Sequence, residues 1–336
     1  MSKRYQGNII TDSPVEPTIS AASGVWSIGE AREYYSAGLW PLTPLIGDVA
    51  YIQRTQSTTN GMQFVYISTT GNGTNFGDLT YNSYANAGCG SSTRGIVRHA
   101  YTAGAGTKYI EYFTLATIGG SGTDFGDATV SVRDMGALSN STRAVFGGGA
   151  GEVSDTNVMD YITIASTGDA TDFGDLYNGN VNGVTGTASS TRGLFSGGRI
   201  VNTFQNVIGY ITIASTGNTT DFGDLTVARF EPASLCNGTR AVFGGGGTTG
   251  LATLDTIDYV TVASTGNATD FGDVTVARFG AGGTCNATRG LFCGGFSSNV
   301  IDYITISSTG NATDFGDLTS SVAGAATTSS AHGGLS

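Results

Sequence analysis

Two residue types that can do chemistry return through this chain at near-constant spacing. Six aspartates, Asp78, Asp127, Asp175, Asp224, Asp273 and Asp317, each close a Phe-Gly-Asp tripeptide. Five arginines, Arg94, Arg143, Arg192, Arg240 and Arg289, each follow a threonine. A carboxylate in every unit invites calcium, and a ring of guanidiniums invites acidic glycans. Calcium needs six or more converging oxygens, whereas Thr-Asp-Phe-Gly-Asp brings at most two carboxylates per unit. The aspartates are therefore expected to bond backbone amides in tight turns. The arginines are expected to fork onto neighbouring carboxylates or carbonyls, with the repeating aspartate as natural partner. Both sets read as scaffold, because a residue present in every unit builds the unit.

The elements that carry these residues follow from the period. Successive Phe-Gly-Asp motifs lie 49, 48, 49, 49 and 44 residues apart, a spacing in the range of propeller blades. One well-preserved unit runs from Thr239 to Phe279. It reads Arg-Ala-Val-Phe-Gly-Gly-Gly, a variable loop, Ile-Asp-Tyr-Val-Thr-Val, a Ser-Thr-Gly-Asn turn, and Phe-Gly-Asp-Val-Thr-Val-Ala-Arg. Short β-branched and aromatic runs between Gly and Asn are strands separated by turns. Four strands per unit around an axis make a propeller.

The end repeats are incomplete in complementary ways. The first lacks a Thr-Arg-x-x-Phe-Gly-Gly strand, and residues 324–336 resemble that strand. We therefore expect an all-β, six-bladed ring closed by one shared blade. Seven blades, completed by residues 49–62, and an open solenoid are the alternatives. Residues 49–336 are assigned to the propeller. Residues 1–48 are assigned to an extended arm and a short helix, opened by the capping box Ser27-Ile28-Gly29-Glu30 and stopped at Gly38. Trp26 and Trp40 flank that helix and could pack it on the body or anchor a partner.

Composition narrows the function. Of 336 residues, 53 are Gly and only 12% are charged, with a formal net charge of −11. No basic footprint for nucleic acid is visible, and no secretory leader or membrane span is expected. Cys89, Cys236, Cys285 and Cys293 read as free thiols, because equivalent positions on stacked sheets lie about 10 Å apart. With two histidines the sequence offers no metal cluster, and no metal or other cofactor is expected. The sequons at Asn72, Asn140, Asn218, Asn237, Asn267, Asn286 and Asn311 read as by-products of the repeat.

Gly-Gly ending one strand, Asp-Tyr opening the next, and Ala277-Arg278-Phe279-Gly280-Ala281-Gly282 together resemble the kelch repeat, with Phe of Phe-Gly-Asp where kelch units carry Trp. The match covers residues 60–336. The wording Tyr-Ile-Thr-Ile-Ala-Ser-Thr-Gly-Asn-Ala-Thr-Asp-Phe-Gly-Asp-Leu, with Gly24-Val25-Trp26-Ser27 and Gly38-Leu39-Trp40-Pro41 upstream, is similar to kelch-like propellers of tailed bacteriophages. That resemblance implies a non-enzymatic virion component, a tail or fibre part or a capsid-surface decoration, present in many copies.

Its partners would be other virion proteins or a host-surface glycan. Binding is expected where the repeats disagree, in the loops after Gly-Gly. Arg199, Asn202, Phe204 and Gln205 offer a cation, amides and an aromatic together. Two alternatives remain open. A sialidase-like propeller enzyme would need two non-repeat carboxylates, for which Glu152, Asp155 and Glu231 are available. An intracellular kelch-type adaptor would need a recruiting domain.

Overall fold

The computed structural model describes residues 48–335 apart from 54–59, 103–104, 117–118, 153 and 177–178. The expected arm, its helix, Trp26 and Trp40 lie outside the described residues. Within them, six four-stranded antiparallel sheets form a six-bladed β-propeller. The short helical elements among the described residues are single 3-10 turns at Thr249–Leu251 and Gly333–Leu335.

The fifth blade shows the plan: Ala233–Cys236 innermost, then Arg240–Gly244, Thr256–Thr261 and, outermost, Thr269–Asp273. The innermost strands of the six blades contact one another in a closed circle around the axis. The strand after Ala-Arg-Phe therefore begins the next blade rather than ending its own.

Closure follows a different division than the sequence implied. The first blade takes its innermost strand from the tail, Thr327–Ser329, and its second from Val49–Gln53. Tyr51 pairs with both Thr328 and Phe64. Residues 49–53 thus supply the strand that seemed missing, and no seventh blade remains to be made from them.

The Phe-Gly-Asp tripeptide is the seam between blades. In each outermost strand the pairing register slips by one residue, as between Ile257↔Gly272 and Asp258↔Asp270, so the phenylalanine sits in a β-bulge. Phe271 and its five equivalents are buried, 1–3% exposed, between neighbouring sheets. The bulge turns the chain so that the Phe and Asp carbonyls face the next blade. There they accept two amides, for example Gly266 N–H to Phe222 O (2.7 Å) and Ala268 N–H to Asp224 O (2.7 Å). The same pair of bonds occurs at all six junctions. At five of them the aspartate's own N–H donates to a side chain of the next blade: Asp169, Asn218, Asn267, Asn311 or Asn72.

The contact that defines the motif is therefore made by the aspartate's backbone, not by its carboxylate in a local turn. The sequon asparagines are structural as well. Besides those in the seam, Asn140, Asn237 and Asn286 each accept two backbone N–H groups in the turn before the arginine.

The five recurring arginines also bridge blades, but not to the repeating aspartate. Each guanidinium stacks on a tyrosine of its own blade, 4.3–4.6 Å from the ring centroid. Each donates to a carbonyl of the next: Ile164, Ile213, Val262, Ile306 or Ile67. The first blade has Val49 at this position, and there the Tyr51 hydroxyl donates to Leu115 O instead.

Ion pairs between blades use other residues. Arg98–Asp160 (2.9 Å), Arg229–Asp258 (2.6 Å) and Arg278–Asp302 (2.7 Å) are all buried, with side chains no more than 2% exposed. Each of these aspartates also accepts the amide and hydroxyl of a threonine from the preceding blade: Thr129, Thr226 or Thr275.

Candidate functional site

Chain direction sets which face carries the departures from the repeat. Innermost strands begin at one mouth of the axial channel and second strands return to it. The loops joining second to third strands therefore open beside that mouth, together with the connections between blades.

At the mouth, each inter-blade connection contributes one residue in the left-handed region: Ala85 (φ 58°), Asp134 (54°), Gly183 (67°), Glu231 (48°), Gly280 (68°) and Gly324 (65°). Their backbones are linked one to the next around the axis. Asp134 N–H donates to Ala85 O, Gly183 N–H to Asp134 O, and Glu231 N–H to Gly183 O; Gly280 and Gly324 continue the chain. Three of the six are glycine, which this conformation favours. Two are acids, which accept backbone strain at about 1–2 kcal/mol each. Backbone strain at polar residues is a pointer to function.

These two carboxylates border the solvent-open axial mouth, whose enclosed part is only about 90 Å³. Glu231 reaches over its neighbour: a Cβ placed on Gly280 would lie 3.0 Å from Glu231 Oε2. Burial, reinforced by the Asp134 charge, pushes the Glu231 carboxyl up to about 8, and Arg199 and Arg133 oppose the shift. Asp134 is raised too, chiefly by burial, against the pull of Arg133 and Arg199. Asp134 is 22% exposed and lies 3.9 Å from Arg133 Nε.

The candidate loop meets this mouth from the side. Arg199–Ile200 and Thr203–Phe204 form a small hairpin. Arg199 Nε donates to Asn182 Oδ1 (3.2 Å), and Asn182 Nδ2 donates to Asp155 Oδ2 (2.6 Å). Arg199 also lies over the Phe230 ring at 5.6 Å. Phe204 packs on Phe230 (5.6 Å), Phe230 on Phe279 (5.2 Å), and Phe279 on Phe296 (5.1 Å). This aromatic row crosses three blades and surfaces at Phe296, 56% exposed. Asn202 is exposed, and Gln205 turns back to its own hairpin through Nε2 to Thr203 O. Arg199 and Phe204 thus pack beside the mouth through Asn182 and Phe230 without lining it, whereas Asn202 and Gln205 make no contact toward it.

Of the three acids singled out in the sequence, Glu231 stands at the mouth. Asp155 is tied to Asn182, and Glu152 lines a separate opening beside Arg133. Asp134 was not foreseen. Its signal is its register, since it fills the position that Gly183, Gly280 and Gly324 occupy in other repeats.

A second arrangement has the composition of a catalytic triad. Ser83 Oγ bonds His99 Nδ1, and His99 Nε2 bonds Glu111 Oε2 at 2.8 Å. All three residues are 0% exposed, and Glu111 also accepts the Thr80 amide from the preceding blade. No substrate reaches a group so enclosed, and the line joins the first two blades. Among the described residues no cluster of three or more His, Cys, Asp or Glu could hold a metal. No described helix is long and apolar enough to cross a membrane.

The architecture is a closed six-bladed β-propeller, consistent with a kelch-like ring, whose singular residues gather on one face. No family model matches the sequence, and no curated protein matches it.

Proposed function

We propose that this chain is a non-enzymatic binding propeller of a tailed-bacteriophage particle, engaging a virion partner or a host-surface glycan through its loop face. One observation carries the binding reading: residues that break the repeat gather on one face. Asp134 and Glu231 line the axial opening, and the row Phe204–Phe230–Phe279–Phe296, with Arg199 over Phe230, lies on the same face beside Glu231. Rigid scaffolds present recognition residues in this way. The particle assignment rests on the resemblance of the repeat wording and on a sheet-built body suited to many-copy display, where weak contacts multiply. Two measurements test it. Mass spectrometry of purified particles should find the chain. A particle carrying Arg199→Ala together with Phe204→Ala should lose assembly or host adsorption. Absence from particles removes the virion role, and unchanged assembly and adsorption removes the loop face.

The Asp134–Glu231 pair favours one second reading, a glycan-processing propeller in which Glu231, held protonated near neutral pH, acts as general acid. Hydrolysis of chromogenic glycosides by the purified chain, abolished in Glu231→Gln, would support it. No hydrolysis across sialosides and neutral glycosides would remove it.

A further inference from the structure

The opposite end of the axial channel is not open. After the closing strand, residues 330–335 turn across it. His332 Nε2 lies 2.9 Å from Gly90 O on the second blade, and Gly334 N–H points to His332 Nδ1 at 3.3 Å. Gly333 and Gly334 are buried and fit without room to spare. A Cβ on Gly333 would lie 1.9 Å from Gly238 N, and one on Gly334 1.9 Å from Ser139 O. Gly333 also shares a backbone hydrogen bond with the Cys285 thiol. The segment touches the second, third, fifth and sixth blades at once, directly after the strand that closes the ring.

We propose that residues 330–335 are an acid-released stopper, closing the channel and securing the ring-closing strand while His332 is neutral. The geometry requires the neutral ring. With Gly90 O fixing the proton on Nε2, the Nδ1 lone pair is the acceptor for Gly334 N–H. A second proton removes that acceptor and sets two N–H groups against each other.

The titratable groups among the described residues lining this end are His332 and the thiols of Cys89, Cys236 and Cys285. Burial pushes each of these thiols up to about 12, so none offers a counter-charge. Burial likewise lowers His332 from 6.5 to about 4, the bond to Gly90 opposing it. A histidine lowered in the docked state binds its proton more readily when released. Docking is therefore fully supported above about 6.5 and weakens as pH falls toward 4. An imidazole titrating near 4 docked and near 6.5 free docks about 300-fold more weakly once protonated.

The thiols provide the test, because Cys236 and Cys285 lie beneath the stopper while Cys293 is buried within the sixth blade. The full chain is treated with dithiodipyridine, which reacts with thiols in acid, and labelled positions are mapped by peptide mass spectrometry. At about pH 7 all four cysteines should resist. At about pH 3.5, Cys236 and Cys285 should label at least about tenfold faster while Cys293 stays protected. His332→Gln should abolish the acid response. Gly334→Ala should expose Cys236 and Cys285 at neutral pH with the far-UV circular dichroism unchanged. Three results overturn the proposal: protection retained at acid pH, all four thiols labelling together as in global unfolding, or Gly334→Ala retaining full protection at neutral pH.

Discussion

Gly223 and Gly266 face each other across the seam between the fourth and fifth blades, and substituting each by alanine separates steric closure from backbone strain. Both have positive φ, 148° and 156°, so either alanine carries a strain of about 1–3 kcal/mol. Their surroundings differ. A Cβ on Gly266 meets nothing within 4 Å, whereas one on Gly223 would lie 2.4 Å from Gly266 O and 2.5 Å from its carbonyl carbon. Backbone cannot swing aside as a side chain can, so Gly223→Ala must pry the seam open.

Three hydrogen bonds go with it: Gly266 N–H to Phe222 O, Ala268 N–H to Asp224 O, and Asp224 N–H to Asn267 Oδ1. At about 1 kcal/mol net each, Gly223→Ala should cost about 3 kcal/mol more than Gly266→Ala. Asn267→Ala, which removes only the third bond, should cost about 1 kcal/mol. Equilibrium urea unfolding followed by circular dichroism gives the three values. A Gly223→Ala cost equal to or below that of Gly266→Ala would refute the seam as the reason for the glycine in Phe-Gly-Asp. Should Gly223→Ala not fold while Gly266→Ala does, that difference itself carries the steric argument, and Asn267→Ala still measures the third bond.

Three further outcomes are expected. Asp258→Ala strands Arg229 without its buried partner and should cost about 3–5 kcal/mol in urea unfolding, far above an exposed pair; a loss below about 1 kcal/mol would contradict that burial. Arg240→Lys keeps the charge but loses the planar stack on Tyr259, and should recover less than half of the stability lost in Arg240→Ala by the same measure. Glu231, raised to about 8 from an ordinary 4.5, holds its proton in the folded state after the unfolded chain has released it. That support is complete below about 4.5 and is lost as pH rises through 8, so urea midpoints should fall between about pH 5 and pH 8 and fall less in Glu231→Gln.

Much of the scaffold was legible because repetition exposes it. The period fixed the blade, and the complementary ends fixed a ring. The pairing of the ends was misassigned because the residues that fill the first blade's second strand, Val49–Gln53, contain neither Arg nor Gly-Gly. Their role rests on Tyr51, which reproduces the arginine's bond to the next blade by another route. The four cysteines are free, but the spacing argument for Cys236 and Cys285 was too simple. Blades converge at the axis, and Cys285 Sγ lies 2.9 Å from Cys236 O, well inside the separation of stacked sheets.

The ion pairs were assigned to the loudest arginines, whereas burial selects Arg98, Arg229 and Arg278, which the repeat shows less regularly. Arg199, Phe204 and Glu231 could be found as departures from the repeat. Asp134 fills the same register position as Glu231 and is found only by aligning the repeats there, because its meaning depends on sharing a left-handed backbone position with three glycines.

The outermost strands carry one last consequence. Each ends in Phe-Gly-Asp, and five carry a further exposed aspartate at Asp124, Asp172, Asp221, Asp270 or Asp314. A strand edge is a template for joining another sheet; here the seam already engages the Phe and Asp carbonyls, and the exposed charge discourages pairing along the rest. The propeller is thus a disc with an anionic tyre: two copies approaching rim to rim repel, over a reach of about 10 Å at 0.1 M salt. Crowded copies would tile side by side without fusing their sheets, while the flat faces stay available for contact.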